Sequence, residues 1–533
     1  MRVLSAQFNL KNFGILLFAV IVFSPLIALI SETLISVSQG NEDWLVLAVP
    51  AGRRVILLAK SLGLAAAVAI CGTLLGTLAA LFLWRWDTGP FSRLRWLFLV
   101  PAVLPPYIHA LTWSSSLNTL NGLLEIIGLP DIPLHGWIIS WWVQVMSLLP
   151  VAAGLALVGL KSVEPRLIEA ARTAGNDFHG LIRIILPLAA PSLVAAGGLI
   201  FLLSLLDFSV PSLFSVNVYS LEVFAEFSAT AEPAKALLLS LPLLIITIVI
   251  ISISFSTIKK AAQNKGWQEA TWKTKPVWPA WLNILQVVAF IILVIQFVLP
   301  LVNLTVTSVT EGEFIPAITA AGSEITFTVL VAAATGMISL PLALSVAAGI
   351  EKSGRLQSLW WFFVIIPLAI PSSLVGIGLI SVWNQSFMTV IYGSWLMPVL
   401  AGIGRFTSLA VIVVTAQIRR IDPKLYEAAR VFQKNNRHTI FKVRLPLLLP
   451  GLLGAAGLSF VLTLGELGAT LLVAPPGQAT LTMRIYNFLH YGASGTVAGL
   501  CLMMMVCLII VGVLAAMVLL RKPDNSWFRE KRL

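Results

Sequence analysis

Four acidic residues at two repeated places define what chemistry this 533-residue chain could do. Asp207 lies in Leu205-Leu-Asp-Phe-Ser and Glu466 in Leu464-Gly-Glu-Leu-Gly, each within a long apolar stretch. A charge there costs roughly 2.5–3.5 kcal/mol on insertion scales, so it defaults to facing a cavity or a partner, where it could hold a cation or a proton. A structural hydrogen bond at a helix bend, or a wet position near the interface, explains the pair equally well. Glu169 and Glu427 stand instead in basic segments reading Glu169-Ala-Ala-Arg172 and Glu427-Ala-Ala-Arg430. Acid and arginine three apart share a helix face, which suits docking rather than bond-making. The loops show no nucleophile–base pair, so no catalytic residue is assigned. The five histidines are scattered and Cys71, Cys501 and Cys507 sit singly in apolar runs, so no metal site is expected.

The segments carrying Glu169 and Glu427 are copies of each other. The first runs Glu164-Pro-Arg-Leu-Ile-Glu169-Ala-Ala-Arg172-Thr-Ala-Gly175 and reaches Leu186-Pro187; the second runs Asp422-Pro-Lys-Leu-Tyr-Glu427-Ala-Ala-Arg430-Val-Phe-Gln433 and reaches Leu445-Pro446. Glu164-Pro165 and Asp422-Pro423 read as helix starts, an acidic cap followed by a proline whose missing N–H costs nothing. Gly175 suits a left-handed helix end. The second copy has Gln433 there, leaving the turn to Asn435, so the two segments are not expected to be equivalent.

The elements that must position these residues are apolar. With 58% hydrophobic and 11% charged residues, the chain belongs in a membrane. Twelve runs, near 13–35, 55–84, 96–116, 135–160, 188–213, 235–258, 281–308, 324–350, 358–383, 394–417, 447–474 and 496–520, are each long enough to cross a bilayer, which takes about 20 residues. Lipid obliges such spans to be helices. The first is too long for a signal peptide and lacks a clear cleavage site, so it reads as retained. With the N-terminus inside, the cytoplasmic segments hold 29 of the 35 Lys+Arg, and both termini and both repeated loops fall on that side. The basic balance is thus mostly topology and needs no nucleic acid.

The halves repeat. Glu169 to Glu427 spans 258 residues, Pro187 to Pro446 spans 259, Asp207 to Glu466 spans 259, and Pro101 to Pro367 spans 266. The last offset fits an insertion near 118–133 in the first half. Six spans per repeat preserve orientation, so the repeats are parallel, about an axis along the membrane normal. The expected fold is all-α and integral to the membrane, with twelve transmembrane helices as two parallel six-helix repeats. Residues 1–258 form the first (loop 161–187), 259–280 a cytoplasmic linker, and 281–533 the second (loop 418–446).

Prolines interrupt the third and ninth spans, at Pro101, Pro105 and Pro106 and at Pro367 and Pro371. They either free carbonyls that line a path or merely bend a helix. Pro105, Pro371, Asp207 and Glu466 are the candidate path residues, and Arg405 is a possible partner for Glu466. Trp84, Trp86, Trp141, Trp142, Trp360 and Trp361 lie at span ends, and Tyr486, His490 and Tyr491 before the last span, as an aromatic belt would.

The repeated loops resemble the EAA signature of ABC-importer permeases, and 100–113 resembles the matching span of the ferric-iron and thiamine types. The resemblance covers almost the whole chain and implies a bacterial inner-membrane permease with two fused domains. A short helix from each loop would then seat in one of two ATPase subunits. Glu169 and Glu427 would make its polar contacts, Ala170, Ala171, Ala428 and Ala429 would permit close approach, and Gly175 and Gln433 would close the motif. ATP and Mg would be bound by the partners, and a periplasmic or surface-anchored binding protein would deliver a small solute such as ferric iron or thiamine. The chain itself carries no Gly-x-x-x-x-Gly-Lys-Ser/Thr loop, so hydrolysis would be the partners'. A twelve-span transporter driven by protons through Asp207 and Glu466 also fits the span count. It leaves the repeated loops unexplained.

Overall fold

The computed structural model describes residues 2–86, 101, 102, 104–263, 276–352, 354–422, 424, 425, 427, 439–491 and 494–520. Its main helices are α1 (Arg2–Ser38), α2 (Arg53–Arg85), α3 (Pro106–Ile126), α4 (Trp137–Lys161), α5 (Pro165–Ala174), α6 (Leu186–Leu206), α7 (Pro233–Gln263), α8 (Ala280–Thr310), α9 (Gly322–Lys352), α10 (Ser372–Trp383), α11 (Leu396–Arg420), α12 (Leu445–Leu464) and α13 (Ser494–Leu520). The fold is all-helical among the described residues. Ten helices there are long and apolar enough to cross a membrane, and a bent pair makes an eleventh. The start of the remaining expected span, 96–116, and most of the linker lie outside the described residues.

Two helix triads form the body: α2 with α4 and α6, and α9 with α11 and α12. Lipid tails are as apolar as leucine, so close backbone approach, rather than apolar burial alone, must hold such helices together. Glycines permit it. A Cβ on Gly76 would lie 2.8 Å from the backbone of Ala152, and one on Gly402 would lie 2.8 Å from Thr335 Oγ1.

The opening helix of each sequence repeat packs against the other repeat. Helix α1 lies on α9 and α10, and α8 lies on α2 and α3. Gly378 of α10 meets the Pro25 carbonyl of α1, 2.5 Å from where a Cβ would stand. Asn303 of α8 donates to Ser115 Oγ and Ser116 Oγ of α3 at 3.2 and 3.3 Å. Sequence repeat and packing unit therefore differ, because the apolar stripe of a first span is indifferent to which repeat covers it.

Several expected spans break. The ninth is two helices, Gln357–Ala369 and Ser372–Trp383, bent by 97°. The carbonyl that Pro371 deprives of its helical donor, Pro367 O, is taken up by Ile370 N at 3.3 Å. The fifth and eleventh stop at their acids and resume as Ser209–Leu213 and Thr470–Val473. The belt reading also needs correction: Trp84 and Trp361 are fully buried in the core.

Candidate functional site: the repeated loops and a cavity between the repeats

The first repeated loop is built as the sequence suggests, with two differences. Pro165 opens α5, but the Glu164 side chain makes no cap bond there. Gly175 has φ 177°, ordinary extended backbone, not the left-handed end expected. The turn is made instead by Asn176, whose Oδ1 accepts from His179 N at 2.8 Å and caps the short helix Asp177–Gly180. Glu169, Ala170 and Gly175 are exposed, whereas Ile168 is buried against α4 and the start of α8. One helix thus shows a polar, small-residue face outward and anchors itself by its apolar face.

The anchor is doubled by charge. Arg172 donates through Nε and Nη2 to the two Asp177 oxygens at 2.8 and 3.2 Å, a bidentate pair. Asp177 Oδ2 also accepts from Val277 N at 2.6 Å. Trp278 is buried in the same cluster, and Phe178 meets Trp281 edge-on at 5.6 Å. The loop of the first repeat is therefore tied to the opening of the second.

In the second loop Asp422 does cap, accepting from Lys424 N at 3.0 Å, and Glu427 is exposed. Ala428, Ala429 and Gln433 lie outside the described residues. Both loops end in a five-residue π-helical turn, Leu181–Ile185 and Ile440–Arg444, immediately before Leu-Pro. A π turn inserts an extra residue into a helix and often marks a functional point.

A cavity of about 340 Å³ lies between the repeats, bounded by α3, α4 and α6 on one side and α11 and α12 on the other. Pro105, Asp207 and Glu466 line it; at Pro371 the wall is its neighbours, Ile370 and Ser372. Three of the four expected path residues thus meet at one place. Both acids sit where their helix breaks, and each accepts from backbone N–H groups at the start of the short segment beyond it. Asp207 Oδ1 accepts from Ser209 N at 3.0 Å and Ser209 Oγ at 2.6 Å, and Oδ2 from Val210 N at 3.4 Å. Glu466 Oε1 accepts from Ala469 N at 2.8 Å.

The fourth span of each repeat completes the acid differently. Gln144 of α4 donates to Asp207 Oδ2 at 3.3 Å, and its Oε1 accepts from Ser204 Oγ at 2.5 Å. Arg405 of α11 forms an ion pair with Glu466 through Nη1 and Oε2. Gly465 presses on Pro105 across the cavity rim, whose Cγ would stand 2.8 Å from an added Cβ. Gln144 and Gly465 carried no signal beyond residue type; only their placement reveals them. No cluster of three metal-ligating side chains exists among the described residues.

Comparison with known proteins agrees with this architecture. Residues 339–522 match the family described as "Binding-protein-dependent transport system inner membrane component". The chain is 30% identical over 196 residues to the molybdenum transport system permease protein ModB of Haemophilus influenzae, covering 34% of this chain and 85% of that one. It is 22% identical over 479 residues to the ferric transport system permease protein FbpB of Actinobacillus pleuropneumoniae, covering 83% of this chain and 68% of that one. It is 25% identical over 232 residues to PhnV of Salmonella choleraesuis, a permease named for 2-aminoethylphosphonate transport, covering 41% and 87%. This chain belongs to the binding-protein-dependent transport system inner membrane component family, the permeases of ABC importers.

Proposed function

We propose that this chain is the transmembrane permease subunit of a bacterial ABC importer, residues 1–258 and 281–533 serving as two fused permease domains joined by 259–280. Each loop helix seats in one of two ATPase subunits, which bind ATP and Mg, while the chain itself catalyses nothing. Glu169 and Glu427 supply polar contacts, Ala170, Ala171, Ala428 and Ala429 allow close approach, and Gly175 and Gln433 end the motif. With both termini cytoplasmic, a binding protein outside delivers a small solute, such as ferric iron or thiamine, to the cavity holding Asp207, Glu466 and Pro105. The FbpB likeness, running through both repeats, favours the fused reading and a ferric-type solute.

One observation carries the proposal most: α5 exposes Glu169 and Ala170 while Ile168 packs in one core cluster with α4, a helix that lines the cavity. Force applied to that face has a packed route inward. The test is affinity purification of the solubilised chain from its native membrane, with mass spectrometry. Co-purification of an ATPase with a phosphate loop supports the reading. Recovery of the chain alone, with uptake driven by a proton gradient, would establish the secondary transporter instead.

A further inference from the structure

The two acids of the cavity are repeated in sequence but not in charge balance. Three charged side chains line the cavity among the described residues: Arg405, Asp207 and Glu466. Arg405 and Glu466 neutralise each other, with the Glu466 side chain only 4% exposed and so held in that pair. Asp207 has no such partner. Its four bonds come from Gln144 Nε2, Ser209 N, Ser209 Oγ and Val210 N, all neutral donors.

The polarity of those bonds matters. Gln144 Oε1 accepts from the Ser204 hydroxyl while its Nε2 donates to Asp207. Two backbone N–H groups can only donate. Asp207 is thus placed as an acceptor throughout, the role of a carboxylate rather than a carboxylic acid. The cavity then holds one positive and two negative charges, a net charge of about −1 in a setting where water screens little.

We propose that the cavity recognises the positive charge of its solute through Asp207, making this a path for cations or for solutes with a cationic group, and not for oxyanions. This rests on the reading of the cavity as the translocation path. Neutral donors orient the carboxylate without cancelling its charge, so an entering cation meets a negative charge that no cation among the described lining residues already pairs. An oxyanion would meet a net negative field, and Arg405, the one cation lining the cavity among the described residues, is occupied by a buried glutamate. The asymmetry also gives the repeats separate tasks, Asp207 for recognition and the Arg405–Glu466 pair for holding the opposite wall.

The test titrates the full chain in nanodiscs with terbium(III), whose emission is sensitised by aromatic rings such as Tyr107 in the cavity wall. Wild type should show a saturable component that Asp207→Glu keeps and Asp207→Asn weakens about tenfold or more, as losing one side of a charge pair does. Thermal unfolding of both variants checks that they fold. Displacement by putrescine assigns an amine-type cation, and resistance to it a metal-type cation. Absence of the component in wild type, its persistence in Asp207→Asn, or saturable sulfate binding in its place overturns the proposal. Co-purification of an ATPase, scored on the same samples, keeps the two readings apart. Its loss from wild type would defeat the permease reading while leaving the cation site standing.

Discussion

Asp177 accepts a hydrogen bond from the backbone N–H of Val277 at 2.6 Å, joining a loop of the first repeat to the entry of the second across 100 residues. The same carboxylate holds Arg172 of α5. Residue 436, at the matching offset in the second repeat, is Asn. The fused chain therefore braces its first loop through a carboxylate that the second lacks. Motion of the first loop should pass into α8, and from there into α2 and α3.

Replacing Asp177 by Ala removes both bonds and leaves Arg172 without its bidentate partner. We expect a loss of about 1–3 kcal/mol, the range for stranding a partner of a charge-assisted bond. Thermal unfolding of the purified chain reads the effect, and Asp177→Asn should fall between wild type and Ala.

The repeats meet through glycines, so methyl groups there should act as wedges. Gly465→Ala forces Pro105 away and Gly378→Ala opposes the Pro25 carbonyl, each at about 1–3 kcal/mol of overpacking. Gly457, on the same helix as the approach to Gly465, has open space around its Cβ position. Gly457→Ala should leave stability unchanged or slightly raised. Unfolding midpoints of the three variants, measured side by side, test whether the crossings or helix propensity decide.

The Arg405–Glu466 pair should behave as a unit. Arg405→Ala strands a buried carboxylate, costing about 3–5 kcal/mol, near the low end because the arginine is 27% exposed. Arg405→Gln with Glu466→Gln should recover most of that loss. A double-mutant cycle on thermal stability checks this; additive losses would contradict the pairing.

Much of this was legible in the sequence. Span positions followed from hydropathy, because lipid leaves the backbone no other partner. The repeated loops followed from Glu169 and Glu427 at one offset. The Arg405–Glu466 pair was within reach, since a buried acid demands a partner. What escaped depends on distant packing. Nothing in α1 says that α9 and α10 cover it, and nothing in Gln144 says that it faces Asp207. The helix breaks at Asp207 and Glu466 entered only as the bend alternative for the two acids, because hydropathy runs on through apolar residues beyond each. Gly175 misled because Asn176, one residue later, makes the turn.

Coupling through the loops is measured by following ATP hydrolysis and solute uptake together in the assembled complex in proteoliposomes. The variant carries Glu169→Lys and Glu427→Lys together, reversing the charge at both exposed glutamates. We expect normal insertion and abundance, with uptake lost and hydrolysis no longer responsive to the loaded binding protein. Uptake at the wild-type rate per ATP hydrolysed would contradict coupling through the loops.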